Sequence, residues 1–363
     1  MIALTSFDYT AEDPLVILGI ETSCDETSVA LVNSNKKILA HLVFSQIKDH
    51  EVYGGVVPEI AARAHLNVLP GLLTRVFQEA KINPADIAAI AVTTGPGLIG
   101  GVVVGTMAAK AMAVALKKPF IAVNHLEGHA LTARLTGDVP FPFLLLLVSG
   151  GHCQIMLVEE VGKYQVLGST LDDAVGECFD KVAKMLNLPY PGGPQIEQKA
   201  KFGDPTAFDF PRPMIGQKHL NFSFSGLKTA VRQTIQKLQS EYGNSLPDKI
   251  VADICASFQN TVARVLYDRI KQALLYTAEN HIDYKHFVVA GGVAANQHIR
   301  NVLQSICNEF NLTFHAPPLK LCTDNGAMIA WAGMERFQRG LTDTLDIKPR
   351  PRWPLNEIKG IEK

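Results

Sequence analysis

Three stretches of the chain share one pattern: a short apolar run, a polar turn, and then a second element. Residues 15–20 (LVILGI) lead into the polar stretch 21–28 (ETSCDETS) and then into 29–32 (VALV). Residues 143–148 (FLLLLV) lead into 149–152 (SGGH) and then into 153–158 (CQIMLV). Short apolar runs bounded by turn residues mark strands buried on both faces. The first two stretches therefore read as the same hairpin used twice. The third, 286–290 (HFVVA), enters 291–296 (GGVAAN) and then a helical pattern ending near Phe310. A strand–turn–strand unit at the head of each half predicts an internally duplicated α/β protein.

Helical periodicity fills the intervals. Residues 59–80 carry apolar positions at helical spacing and stop before Asn83-Pro84. Residues 100–116 are rich in Gly, Ala, Val and Met, which suits a helix packed closely on a sheet. Residues 172–186 are amphipathic and end at the Pro/Gly cluster 189–194. Residues 248–278 form a long helical stretch, and 325–337 start at an Asp-Asn-Gly turn. The basic segment 347–354 (IKPRPRWP) reads as an extended, solvated tail.

The length of 363 residues suggests two domains. The repeated unit suggests two lobes, and the resemblance set out below implies their bounds: a first lobe of 15–140 plus 320–350, a second lobe of 141–319, an N-terminal extension 1–14 and a tail 351–363. Hydrophobic residues at 47% and charged residues at 19% supply a large core. A net charge of −1 excludes a globally basic surface, so RNA would need a local patch or a partner's surface. Cys24, Cys153, Cys178, Cys255, Cys307 and Cys322 form no Cys-x-x-Cys pair, which argues against a disulfide framework or a zinc knuckle. The first fourteen residues contain Asp8, Glu12 and Asp13 and no Lys or Arg, unlike a secretory signal or a mitochondrial presequence. No apolar run is read as long enough to span a membrane. The expectation is a cytoplasmic protein with no membrane partner.

His125 and His129, in NHLEGH, would share one face of a helix and offer two nitrogen ligands to a transition metal. The same spacing is also common among ordinary helix residues. The pair follows a strand-like run, 119–123, and strand ends are where open α/β sheets place their sites. Asp324, in CTDNGA, is a candidate third ligand. Glu127 sits two residues after His125, not one as in His-Glu-x-x-His, so it would point about 200° away from His125. That costs a metalloprotease reading its general base.

Four glycine turns, at 95–101, 149–152, 191–194 and 291–292, are either tight turns or phosphate-binding backbone. No P-loop pattern is present. Residues 95–100 match Gly-x-Gly-x-x-Gly, but 119–124 lack the carboxylate that a dinucleotide ribose requires. Asp180 and Glu197 lie near these turns, as hydroxyl acceptors or as solvent-facing helix charges.

Eight motifs in order carry a specific resemblance: IETSCDET (20–27), GPGLIG (95–100), NHLEGH (124–129), VSGGH (148–152), DDAVGECFDK (172–181), YPGGP (190–194), FSFSGLK (222–228) and GGVAAN (291–296). From about Leu15 to the basic tail, the chain resembles the TsaD family, tRNA N6-adenosine threonylcarbamoyltransferases once called O-sialoglycoprotein endopeptidases. The departures are Cys153 after His152, where Thr is common, and the fourteen-residue extension.

The resemblance implies a two-lobed actin/hexokinase-like (ASKHA) fold built from duplicated RNase-H-like domains. It implies one divalent metal, Fe(2+) or Zn(2+), on His125, His129 and Asp324. It implies threonylcarbamoyl-AMP along Leu147, Val148, Ser149, Gly150 and Gly151, with Asp180, Gly193, Glu197 and Asn296 around the nucleotide. Asp25 and Glu26 match an acidic pair near the active centre. The implied partners are tRNA and, in the bacterial branch favoured by the missing presequence, a TsaB-like paralogue and a TsaE-like ATPase. Two rivals stand beside this reading: a metal-dependent glycoprotease, and an ASKHA-type kinase or ATPase using the turns for ATP.

Overall fold

The computed structural model describes residues 14–243, 245–358 and 360. Residues 1–13 of the expected N-terminal extension, and 359 and 361–363 of the tail, lie outside them.

The first half builds β1 (Val16–Glu21), β2 (Glu26–Asn33), β3 (Ile38–Ser45), α1 (Ile47–Glu51), α2 (Pro58–Ala80), β4 (Ala89–Gly95), α3 (Ile99–Leu116), β5 (Phe120–Asn124) and α4 (His125–Thr136). The second builds β6 (Phe143–Val148), β7 (Cys153–Glu160), β8 (Lys163–Ser169), α5 (Val175–Met185), α6 (Gly192–Ala200), α7 (Ser225–Tyr242), α8 (Asp248–Glu279), β9 (His286–Ala290), α9 (Gln297–Glu309) and β10 (Thr313–His315). Helix α10 (Gly326–Phe337) then returns to the first sheet.

The duplication is visible strand by strand. The first sheet has the order β3-β2-β1-β4-β5 and the second β8-β7-β6-β9-β10. In each, the leading strand pairs antiparallel with its hairpin partner and parallel with the strand on its other side. β1 and β6 are buried along their whole length, as the apolar run of β6 and that of β1 up to its terminal Glu21 require.

α10 lies directly on the first sheet because two glycines let backbones meet. A Cβ on Gly19 would sit 2.2 Å from the Gly326 carbonyl oxygen, and one on Gly326 would sit 2.8 Å from the Ala30 nitrogen. α4 joins the lobes. Its Leu131 and Leu135 pack with Ile17, Ala91 and Ile329, while Leu126, Ala130 and Ala133 join a cluster containing Leu145, Leu147, Met156 and Val158 of the second sheet.

Three expectations need correction. The helix expected from 172 begins at Val175, because Asp172 and Asp173 are used as hydrogen-bond acceptors for other segments. The tail is not solvated: Trp353, Leu355 and Ile358 are buried in the cluster shared by both lobes. Helix α3 is long and apolar enough by length and composition to cross a membrane, although no such run was expected. In this fold it packs on α2 and β4, with Thr22 Oγ1 donating to the Gly101 carbonyl at 2.9 Å.

Candidate functional site

Capping places the histidines. Asn124 ends β5, and its Oδ1 accepts from the Leu126 amide at 2.9 Å, so His125 opens α4 and His129 follows one turn later. Asn325 caps α10 in the same way, accepting from the Met328 amide at 2.9 Å, which sets Asp324 just before that helix. The close Gly19–Gly326 contact brings this helix start onto the first sheet.

The three side chains converge. His125 Nε2 lies 3.3 Å and His129 Nε2 3.0 Å from Asp324 Oδ1. One ligand atom from each residue lies within 4.8 Å of the others. Two imidazole nitrogens and a carboxylate oxygen are a donor set suited to Zn or Fe, so the residues present fit a divalent metal.

The surroundings are acidic. Burial would lower the His125 pKa, but the Asp324 and Glu21 carboxylates outweigh it and hold it well above its ordinary value. Burial would raise Asp324, yet the two imidazoles hold it far below the usual carboxylate range. Asp25 is buried in the β1–β2 turn, and Glu26 opens β2. Burial, together with the charges of Asp324 and Asp25, drives Glu26 well above the carboxylate range.

The second lobe faces this cluster with the β6–β7 turn. Ser149 and His152 close it through a backbone bond of 2.8 Å and a bond from the His152 amide to Ser149 Oγ of 3.1 Å. Gly150 and Gly151 are exposed, with open space where a Cβ would stand. Leu147 and Val148 are fully buried in β6, where they pair with Gln154 and Cys153 of β7. Burial and the His125 and His129 charges push His152 down to about 4. Burial and the charges of Asp25 and Asp180 raise Tyr190, which puts acids of both lobes around one cleft.

The other expected residues hold helix starts. Asp180 Oδ1 accepts from the Gly192 amide at 2.7 Å, at the first residue of α6; Gly193, the next, has open space beside it. Glu197 Oε1 accepts from the Gln297 amide at 2.7 Å, at the start of α9. Asn296 is buried, with Oδ1 on the Ile299 amide at 3.0 Å and Nδ2 on Gln259 Oε1 at 2.7 Å. Asp180 and Glu197 are both partly exposed, and each spends one carboxylate oxygen on a helix start.

Glu127 points away from the cluster, as its spacing predicts. Tyr164 Oη donates to it at 2.8 Å, and Arg336 pairs with it at 3.3 Å. A fully buried, paired carboxylate there gives a metalloprotease no base. Sequence reasoning missed Glu21, His152 and Tyr190. Glu21 carried a signal: it is the charged end of an otherwise apolar strand.

Two five-stranded sheets of the same strand order, with a metal-capable His–His–Asp group beside the first, define a two-lobed ASKHA-type fold. Solved structures agree on the fold. Full-length HypF in its phosphate- and nucleotide-bound form matches with a TM-score of 0.57 at 12% identity, covering 91% of this chain and 48% of that one. HypF of T. kodakarensis matches at 0.55 and 14%, covering 90% and 49%.

The family follows from the sequence matches. The TsaD model, tRNA N6-adenosine threonylcarbamoyltransferase, matches residues 37–331. The transferase of that name from Brucella anthropi is 56% identical over 94% of this chain and 95% of its own length. That from Rickettsia rickettsii is 52% identical over 94% and 98%. The chain belongs to the TsaD family, and its activity is transfer of a threonylcarbamoyl group to N6 of adenosine in tRNA.

Proposed function

We propose that the threonylcarbamoyl group is delivered from threonylcarbamoyl-AMP, and that it goes to the N6 amine of the adenosine adjacent to the anticodon in tRNAs reading ANN codons. The product is N6-threonylcarbamoyladenosine. The observation that supports this most is the convergence of His125, His129 and Asp324 opposite the open Ser149–Gly151 turn.

In this reading the backbone of Leu147, Val148, Ser149, Gly150 and Gly151 lines the adenylate, and Asp180, Gly193, Glu197 and Asn296 surround its nucleoside. The amine attacks the carbamoyl carbonyl carbon, the bond from that carbon to the phosphate oxygen breaks, and AMP leaves with the electron pair. Asp25 and Glu26 orient the amine and take up its proton. His125, His129 and Asp324 would hold Fe(2+) or Zn(2+), which supplies Lewis-acid polarisation of the donor.

The lobes are assigned as 15–140 plus 320–350 and 141–319. A TsaB-like paralogue and a TsaE-like ATPase are the proposed partners, and the cytoplasm the proposed location. The test is transfer of labelled threonine to tRNA by the metal-loaded protein with these partners. Labelled N6-threonylcarbamoyladenosine is expected, and His129→Ala should abolish both metal retention and labelling. No label from a metal-loaded wild type with cognate partners would overturn the reading.

A further inference from the structure

Glu21 offers no ligand atom to the His125–His129–Asp324 cluster, yet it touches a proposed ligand. It ends β1 with its side chain fully buried. Its Oε2 lies 3.1 Å from His125 Nδ1, and Thr93 Oγ1 of β4 donates to the same oxygen. Its Oε1 accepts from the Ser23 amide at 2.6 Å, and Ser23 Oγ lies 3.1 Å from His125 Nδ1.

These bonds have a chemical consequence. A carboxylate on Nδ1 keeps a proton there, so that Nε2 is the nitrogen left for a metal shared with Asp324. It also makes the imidazole a stronger donor and fixes its ring. The other oxygen holds the turn that carries Asp25. One buried group therefore ties the orientation of His125 to the placement of the acidic pair.

We propose that Glu21, seated by Thr93, is a positioning residue that sets the tautomer and ring orientation of His125 for metal binding. This rests on the metal reading of His125, His129 and Asp324. It assigns Glu21 no contact with substrate and no place in the coordination sphere.

The experiment uses the full-length protein with Zn(2+) alone, by competition with a chromogenic chelator, and with Co(2+) alone, by its visible absorption bands. Glu21→Gln is near-isosteric and removes the charge; Thr93→Val removes the hydroxyl that seats the carboxylate and keeps its volume. Both should bind Zn(2+) about 10- to 100-fold more weakly than wild type, with Thr93→Val the milder. The Co(2+) bands of Glu21→Gln at saturation should be displaced, which a loss of folded protein alone would not produce. If Glu21→Gln does not fold, Thr93→Val decides. Affinity within twofold of wild type and unchanged bands would overturn the role of Glu21 while leaving the metal site intact. A wild type that binds no metal, or a His129→Ala variant that binds it normally, would instead overturn the metal reading and this role with it.

Discussion

Glu127 lies between the two histidines in sequence and on another side of their helix in space. Its partners come from both lobes: Tyr164 on β8 and Arg336 on α10. Removing one member of a buried ion pair leaves the other charge unpaired, at a cost of about 3–5 kcal/mol. Glu127→Ala should therefore lower unfolding stability by about that amount, measured by urea titration, while Zn(2+) stoichiometry stays at the wild-type value. Tyr164→Phe should cost less, about 1–3 kcal/mol for one lost bond to a buried carboxylate. Loss of metal with no loss of stability in Glu127→Ala would place that carboxylate in the metal site after all. The outward direction of Glu127 was legible from helical spacing alone, because a two-residue offset fixes an angle on any helix. Glu21 was not legible as a partner of His125. The two are 104 positions apart and are joined only when β4 and β5 align parallel beside β1.

At the scale of elements, the acidic side chains act mainly on helix starts. Asp172 accepts from the Phe224 and Ser225 amides at 2.8 and 3.2 Å and from the hydroxyls of Ser223 and Ser225 at 2.5 and 2.7 Å, holding the start of α7. Burial would raise its pKa, but these bonds favour the charged form and leave it lowered. A depressed carboxylate stabilises above its unfolded pKa and loses that contribution as pH falls through the folded one. Asp172→Ala should cost about 1–2 kcal/mol, as for a lost helix cap. The gap between variant and wild type should be full above about pH 5 and shrink below about pH 4. Denaturation at a series of pH values checks this; a gap independent of pH would mean the stabilisation does not come from the ionised carboxylate. The same distribution explains where helix boundaries escaped the sequence. Periodicity locates the amphipathic body of α5, but not that Asp172 and Asp173 are recruited by residues about fifty positions away. The leading hairpins were legible because β6 is apolar throughout and β1 is apolar up to its terminal Glu21. The third strand of each sheet was not: β8 is half exposed and lacks such a run.

For the whole molecule, the C-terminal segment is tied into the end of the first sheet. Arg350 donates its amide to the Thr94 carbonyl at 2.8 Å, the Gly97 amide donates to the Pro351 carbonyl at 3.2 Å, and Asn124 Nδ2 donates to the Trp353 carbonyl at 2.8 Å. Asn124 immediately precedes His125, so the segment crosses the end of the first sheet beside the cleft. In a molecule of net charge −1 whose substrate is a polyanion, the candidate contacts are Lys348, Arg350 and Arg352 in this segment and Lys218, Lys228 and Arg232 near residues 222–228. Not all of them are free to make such contacts. Lys228 is paired with Asp173 at 2.5 Å, and Arg350 is paired with Glu357. Lys218, Arg232, Lys348 and Arg352 are exposed and have no ion pair among the described residues. If these four each meet one tRNA phosphate, the slope of log affinity against log salt should be about −3 to −4. Binding by the protein alone should then be weak at physiological salt and strengthen with its partners. Arg352→Ala should weaken tRNA binding and reduce the magnitude of the slope by about one, leaving affinity for an adenylate analogue unchanged. Lys228→Ala should leave the slope as it is, since that charge is already committed to Asp173. Filter binding of tRNA across a salt series reads both variants. An unchanged slope in Arg352→Ala would move the tRNA path off the C-terminal segment and onto the partner proteins.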